Sequence, residues 1–130
     1  MQDIIEPIIH KAAVIDLKIA LKNTGLSIGD TAELHLTDEG KIAVYAHIRK
    51  RSFLFHRRKL ALIGHLGAKA TPLLTPALRR GDYLRVRVVG LTPEHLASDG
   101  KAEMHVSVWG TARHFFTPPP NSSLEPTPSR

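Results

Sequence analysis

The sequence predicts a mainly β fold, a small closed or partly open barrel of about six strands with one or two short helices. Apolar and polar residues alternate in several short segments, which is typical of strands with one buried face. Glycine-containing turns separate these segments, and no internal repeat is visible. With 130 residues the chain can form one domain around a single modest core, a size comparable to OB-fold and SH3-like barrels.

The amino-terminal part of the chain allows two interpretations. Residues 4–9 are apolar but interrupted by Pro7, which favours a short edge strand or an extended arm. Across residues 11–22 the spacing of apolar positions predicts a helix of about three turns, ended by Gly25. A strand over residues 13–19 stands as the alternative, because that stretch contains three β-branched residues.

Two hairpins are predicted in the middle of the chain. Residues 32–36 alternate with one face toward solvent, and a turn at Gly40 leads to a return strand over residues 41–49. A second, strongly basic hairpin would pair residues 48–51 with residues 53–60.

The second half of the chain continues the pattern of short strands. A short buried strand is predicted at residues 60–64, and residues 67–74 suit a short helix that Pro72 limits. Two closing strands are expected at residues 83–91 and 104–110, because apolar and polar residues alternate in both.

The folded domain is expected to end near residue 116. Trp109, close to the end of the last strand, is expected to be structural and to cap the barrel. Residues 117–130 are rich in proline and serine, a composition that cannot build a packed core. The sequence therefore predicts a domain over residues 1–116 and a disordered tail over residues 117–130.

Composition and motifs argue against catalysis and against a bound metal. The chain has no cysteine, so thiolate metal sites and cysteine nucleophiles are excluded. Its eight histidines lack metal-ligand spacing, and neither a Gly-x-Ser-x-Gly elbow nor a phosphate-binding loop is present. We expect no enzyme activity and no cofactor. The acidic amino terminus is unlike a signal peptide and no apolar run reaches the roughly 18 residues of a membrane span, so we expect a soluble, cytoplasmic protein.

Positive charge is concentrated in two parts of the chain. The formal net charge is +6, and six lysines and arginines lie between residues 49 and 59. Clustered cations of this kind are expected of a protein that contacts a phosphate backbone. A solvated surface that keeps a small protein soluble explains the same charges without a ligand. The second basic group consists of Arg79, Arg80, Arg85 and Arg87.

Several short motifs follow one another in a particular order. A Gly-Asp turn at residues 28–30 precedes a strand that leads to Asp38, and residues 42–44 read Ile-Ala-Val. A Gly-His-Leu turn at residues 64–66 and a final Val-Trp-Gly at residues 108–110 complete the set. This order resembles the HIRAN family, whose members are small β-barrels that occur alone in bacteria and fused to some helicases.

The resemblance covers roughly residues 17–110 and implies a non-catalytic module that binds single-stranded DNA, favours a free 3′ end and acts in DNA repair or processing. RNA is the second candidate ligand. A helicase or nuclease is the implied protein partner, and no membrane partner is implied. The alternative function is a protein-interaction adaptor that docks an acidic partner or a helicase through the same basic surface.

Three residues outside the basic run have both a functional and a structural interpretation. By its matched position Asp38 would accept a hydrogen bond from a terminal sugar hydroxyl, or it bonds the backbone of its own turn. His65 would donate to a phosphate or base, or it bonds a neighbouring carbonyl. Lys69 lies near the start of the predicted short helix, where backbone amides also attract anions.

The chain departs from the family at one turn. Where family members commonly carry Asn-Pro-Tyr/His-Asp, residues 36–38 read Leu-Thr-Asp, so the aspartate matches and the aromatic ring is absent. Residues 47–62 are longer than the usual link and hold the densest basic run, which suggests that backbone electrostatics substitute for that ring. Candidate stacking rings are Tyr45, Tyr83 and Phe53, each of which is otherwise a core or rim aromatic. The predicted nucleic-acid-binding residues are Asp38, Tyr45, Arg49, Lys50, Arg51, Arg57, Arg58, Lys59, His65 and Lys69.

Overall fold

The computed structural model describes residues 5–21, 24–51 and 56–111. Around a ring-like sheet the strands follow the order β1-β4-β3-β2-β5-β6, and β6 pairs again with β1. The described part of the chain also contains one α-helix, α1 (Thr71–Arg80), and a 3-10 turn, Glu94–Leu96. The predicted mainly β fold is therefore confirmed. The six antiparallel strands are β1 Ile5–Ile15, β2 Thr31–Leu36, β3 Ile42–Arg51, β4 His56–Leu66, β5 Arg85–Thr92 and β6 Glu103–Thr111.

The core lies inside the ring because inward-facing residues alternate with outward-facing ones along each strand. On β3 the inward residues Ile42, Val44 and Ala46 are fully buried. The helix α1 adds Leu74 and Ala77, which are also fully buried. Each large aliphatic side chain buried in this way contributes about 1.5–3 kcal/mol. The equivalent residues of β6 are Met104, Val106 and Val108.

The helix predicted for residues 11–22 is wrong, because much of this segment belongs to β1. Ala12 and Val14 are buried while their neighbours are exposed, so burial repeats every two residues as in a strand. The strand β1 pairs with β6 over most of its length but with β4 at Val14 and Ile15. Pro7 lies in the part of β1 that β4 does not reach, and such an edge tolerates a residue without an N–H group.

The segment after β1 runs along the basic hairpin. Asp16 turns the chain with a φ of 54°, in the left-handed region. The N–H of Lys18 then donates to the carbonyl of Ile63 at 2.8 Å. Further along, the carbonyl of Thr24 accepts a hydrogen bond from the N–H of Arg49 at 2.8 Å. The segment is thereby joined by one backbone hydrogen bond to β4 and by another to β3.

The basic hairpin forms as predicted, with one strand longer than expected. Arg51 pairs with His56 next to the loop, and Ile48 pairs with Lys59. The strand β4 continues through residues 60–64, so these residues are part of the hairpin and do not form a separate short strand.

The helix α1 begins and ends later than the helix predicted at residues 67–74. Pro72 lies in its first turn, where a backbone N–H has no partner within the helix. Gly81 ends the helix with a φ of 75°, and its N–H donates to the carbonyl of Leu78 at 3.2 Å. No helix in the described part of the chain is long and apolar enough to cross a membrane. The predicted tail, residues 117–130, lies outside the described residues.

A methyl group at Gly64 is predicted to destabilise the fold. A Cβ placed there would clash with the carbonyl oxygen of Ile15 and approach a methyl carbon of Val14 to 3.0 Å, at the junction of β1 and β4. We expect Gly64→Ala to lower the free energy of unfolding by about 1–3 kcal/mol, measured by urea denaturation. Gly67→Ala is the control, because its Cβ would meet the carbonyl of Ala13 at an ordinary 3.7 Å. Equal stabilities of the two variants would contradict this prediction.

Candidate functional site

Four basic side chains project from the outer side of the sheet, and we call them the basic face: His47, Arg49, Arg58 and Arg87. All four are exposed. On β3, His47 and Arg49 alternate with the buried residues of the same strand. Arg58 of β4 is the register partner of Arg49, and Arg87 of β5 pairs with Thr31 at the start of β2. The β3–β4 hairpin and β5, which is distant from it in sequence, therefore both present positive charge on the outer side of the sheet.

The basic face borders an open concavity of about 460 Å³. The loop before β2 is fixed to β5, because the N–H of Gly29 donates to the carbonyl of Val88 at 2.7 Å. The N–H of Val88 in turn donates to the carbonyl of Asp30 at 2.8 Å. Arg87 is oriented by this loop, since its Nη1 donates to the carbonyl of Gly29 at 3.2 Å. The residues that line the concavity are Gly29, Asp30, Thr31, His47, Arg58 and Arg87.

The arginines of the basic face form no ion pair with another residue that the structure describes. Within the described ranges, no carboxylate oxygen lies within 4.0 Å of a guanidinium nitrogen of Arg49, Arg58 or Arg87. Arg49 and Arg58 stand directly opposite each other, and like charges in that position are unfavourable. Asp30 borders the concavity, and its Oδ2 accepts a hydrogen bond from the N–H of Ser27 at 2.9 Å. An external anion would therefore relieve repulsion within the basic face.

A cation–aromatic pair lies beside the basic face on β5 and β6. Arg85 pairs in register with Trp109, and its guanidinium carbon lies 4.8 Å from the centroid of the indole ring. Trp109 is partly exposed, whereas its neighbour Val108 is fully buried. The indole therefore lies on the outer side of the sheet and does not cap the ring as expected. Arg87 lies two positions after Arg85 on β5, so its side chain projects on the same side of the strand.

These outer-face residues of β5 and β6 are absent from the set predicted from sequence. Apolar and polar residues alternate along both strands. Because Val86 and Val106 point into the core, this alternation predicts that Arg85, Arg87 and Trp109 face outward. The missing information is the strand order, which makes β5 the neighbour of β2 and brings Arg87 close to the concavity beside His47.

Asp38, His65 and Lys69 are not brought together with the basic face. Asp38 lies in the turn between β2 and β3, and Lys69 lies in the turn between β4 and α1. His65 lies near the end of β4 that is opposite to Arg58, about 23 Å along an extended strand. The predicted residues thus divide into two groups at different ends of the β3–β4 pair.

His65 lies at a crowded junction. In register it stands between Ala43 of β3 and Ile15 of β1. Its side chain is 14% exposed, and its Nδ1 lies 3.9 Å from Oδ2 of Asp16. That nitrogen has no hydrogen-bond partner among the described residues. A carboxylate beside the ring disfavours an approaching phosphate, and the binding role of His65 stays a prediction.

The turn that contains Asp38 is stabilised by hydrogen bonds of Thr37. Oγ1 of Thr37 accepts a hydrogen bond from the N–H of Lys41 at 3.1 Å, and the N–H of Gly40 donates to the carbonyl of Thr37 at 3.0 Å. Asp38 itself is exposed. Its predicted contact with a sugar hydroxyl stays a prediction.

The candidate stacking aromatics are dispersed. Tyr45 projects outward from β3, and its ring meets that of His35 edge to face at a centroid distance of 5.0 Å. Tyr83 is 66% exposed and precedes β5. Phe53 lies outside the described residues. Of the two described rings, that of Tyr83 is the more exposed.

The remaining predicted cations follow the register of the hairpin. Lys50 pairs with Arg57, one position beyond the pairing of Arg49 with Arg58. Arg51 pairs with His56, and Lys59 is exposed opposite Ile48. Consecutive cross-strand pairs of like charge thus occur at this end of the hairpin.

Neither a metal cluster nor a known relative points to another function. Among the residues that the structure describes, no group of three or more His, Cys, Asp or Glu side chains is arranged to hold a metal ion. Comparison of the chain with protein-family models, curated proteins and solved structures finds no match. The resemblance to the HIRAN family stays a prediction, and function has to be inferred from the basic face.

Reversing one charge of the opposed arginine pair is predicted to stabilise the free protein. Arg58→Glu replaces repulsion of Arg49 by attraction, so we expect the free energy of unfolding to rise by about 0.2–1 kcal/mol in low salt, measured by thermal or urea denaturation. Lys59→Glu makes the same change of charge next to it, but opposite the apolar Ile48, and should give a smaller gain. A lower stability of Arg58→Glu than of Lys59→Glu would show that Arg49 and Arg58 do not repel.

Proposed function

We propose that the protein is a non-catalytic module that binds single-stranded nucleic acid through the basic face. The supporting observation is that Arg58 and Arg87 line one open concavity and that Arg58 stands opposite Arg49, with no carboxylate of a described residue within 4.0 Å of their guanidinium groups. Single-stranded DNA is the preferred ligand in this proposal, because the motif order resembles a family that binds it, and RNA is the second candidate. A cytoplasmic role in DNA repair or processing, next to a helicase or nuclease, belongs to the same proposal.

The chemistry of the basic face suits a phosphate backbone. Guanidinium groups bind phosphate oxygens through two parallel hydrogen bonds, and three of the four residues are arginines. Release of condensed counterions supplies free energy for each phosphate that is neutralised. Arg58 and Arg87 come from different strands, β4 and β5, and line the same concavity. Because Arg49 lies opposite Arg58, a ligand with several anionic groups can contact more of these cations than a single small anion can.

The proposal does not depend on the junction of His65 and Asp16. That junction lies about 23 Å along β4 from Arg58, and its histidine is largely covered. A strand bound at the basic face could extend toward Asp38 at the far end of β3, where the resemblance to the family would place a strand end.

Salt dependence of binding is predicted to depend on two arginines. Fluorescence anisotropy with a short labelled oligothymidine, between about 50 and 200 mM salt, should give a log–log slope near −2 if three phosphates are neutralised. In the double variant Arg58→Ala/Arg87→Ala the slope should shrink by about 1.4 and affinity should fall at every salt concentration. The control is Lys41→Ala/Lys101→Ala, which removes the same charge from exposed positions outside the basic face and should leave the slope unchanged.

Two results of this experiment would overturn the proposal. One is the absence of binding at the lowest salt concentration. The other is an identical slope for the arginine double variant and its lysine control. Polyglutamate is included as a competitor, and if it binds as tightly as the oligonucleotide through the same arginines, the adaptor function is favoured instead.

A further inference from the structure

We propose further, building on the proposed function, that the bound strand crosses the outer side of the sheet diagonally and stacks one base against Trp109. The path would run from Trp109 and Arg85 through Arg87 and His47 to Arg58. Trp109 would then be a binding residue, with a base ring on the exposed part of the indole.

The strand order makes this path continuous. The strands β6, β5, β2, β3 and β4 are consecutive neighbours in the ring. Arg85 is opposite Trp109, and Arg87 is opposite Thr31, which lines the same concavity as His47 and Arg58. Trp109, Arg85, Arg87 and His47 each lie next to a buried residue on their own strand and therefore face outward, and Arg58 is the register partner of the exposed Arg49.

The length of the path suits a short single strand. Four strand spacings separate β6 from β4 in this direction around the ring, about 19 Å at the backbone, and the path is longer on the outside of the curved sheet. Small nucleic-acid-binding barrels of comparable size occupy about four or more nucleotides. We therefore expect a strand of more than four nucleotides to be needed to reach from Trp109 to Arg58.

The chemistry at the Trp109 end differs from that at the arginine end. Every base has an apolar face that can stack on an aromatic ring, so an indole binds bases without selecting among them. Arg85 lies over the indole at 4.8 Å, and no carboxylate of a described residue lies within 4.0 Å of its guanidinium. Its Nε has no hydrogen-bond partner among the described residues. Arg85 can therefore move toward a phosphate without breaking an ion pair.

Trp109 is the single tryptophan of the chain, so intrinsic fluorescence reports on this position alone. We expect oligothymidine to quench the emission of the wild-type protein as it binds. An abasic strand of equal length carries the phosphates without the bases. It should bind by anisotropy and leave the emission unchanged.

Variants at Trp109 separate stacking from charge. We expect Trp109→Leu to weaken binding of oligothymidine about 5- to 150-fold and to leave the affinity for the abasic strand unchanged. Trp109→Phe, which keeps an aromatic ring, should restore most of the affinity. Leu96→Ala serves as the control, because this exposed apolar side chain lies in the 3-10 turn, off the path, and its removal should change neither quenching nor affinity.

The outcomes separate the two proposals. If no strand binds at low salt, the proposed function fails. If oligothymidine binds with the expected salt slope but the emission does not change, or changes equally with the abasic strand, the path over Trp109 is wrong while the proposed function stands. Should Trp109→Leu fail to fold, the comparison of the two strands on the wild-type protein still decides between these outcomes.

Discussion

The narrow junction between β1 and β4 is the constraint on which the ring-like sheet depends. Two register pairs join these strands, Val14 with Leu66 and Ile15 with His65. The junction requires a glycine at position 64, because the carbonyl of Ile15 occupies the space of a side chain there. Closure at this point gives every strand one face toward a common interior. The charged residues on the alternate positions are thereby directed to the outside.

The electrostatic cost of the basic face is small compared with the stabilisation from the core. An opposed pair of like charges on a sheet costs a few tenths of a kcal/mol to about 1 kcal/mol. A single buried side chain such as Ile42 or Leu74, each with no exposed surface, contributes more than that. The fold can therefore retain repulsion between Arg49 and Arg58, and a polyanionic ligand gains from relieving it. This balance explains how a stable sheet can keep an unneutralised charge cluster.

The candidate residues belong to two regions with different surroundings. The basic face is exposed, and although Asp30 borders its concavity, no carboxylate of a described residue lies within 4.0 Å of its guanidinium groups, so it attracts a polyanion. His65 is mostly buried and has Asp16 next to it, which favours a role in the β1–β4 junction. The positions that resemble the HIRAN motif and the positions with the greatest uncompensated charge are therefore distinct. A strand that contacts both would have to follow the β3–β4 pair.

Alternation of apolar and polar residues alone determined the mainly β class, the turn at Gly40 and the basic hairpin, because a strand period of two is written into neighbouring residues. This alternation did not determine β1, because the spacing of its apolar residues also fits a helix. The segment forms a strand because it pairs with β6. The helix α1 likewise extends beyond the predicted end at residue 74, because Leu74 and Ala77 on one of its faces are buried in the core. The arginines of the hairpin were evident from their clustering, but their alignment with Arg87 and Trp109 was decided by the tertiary structure. The physical reason is that strand order depends on closure of the ring. Closure brings together segments that are distant in sequence, and the local sequence pattern of a strand does not specify its partner.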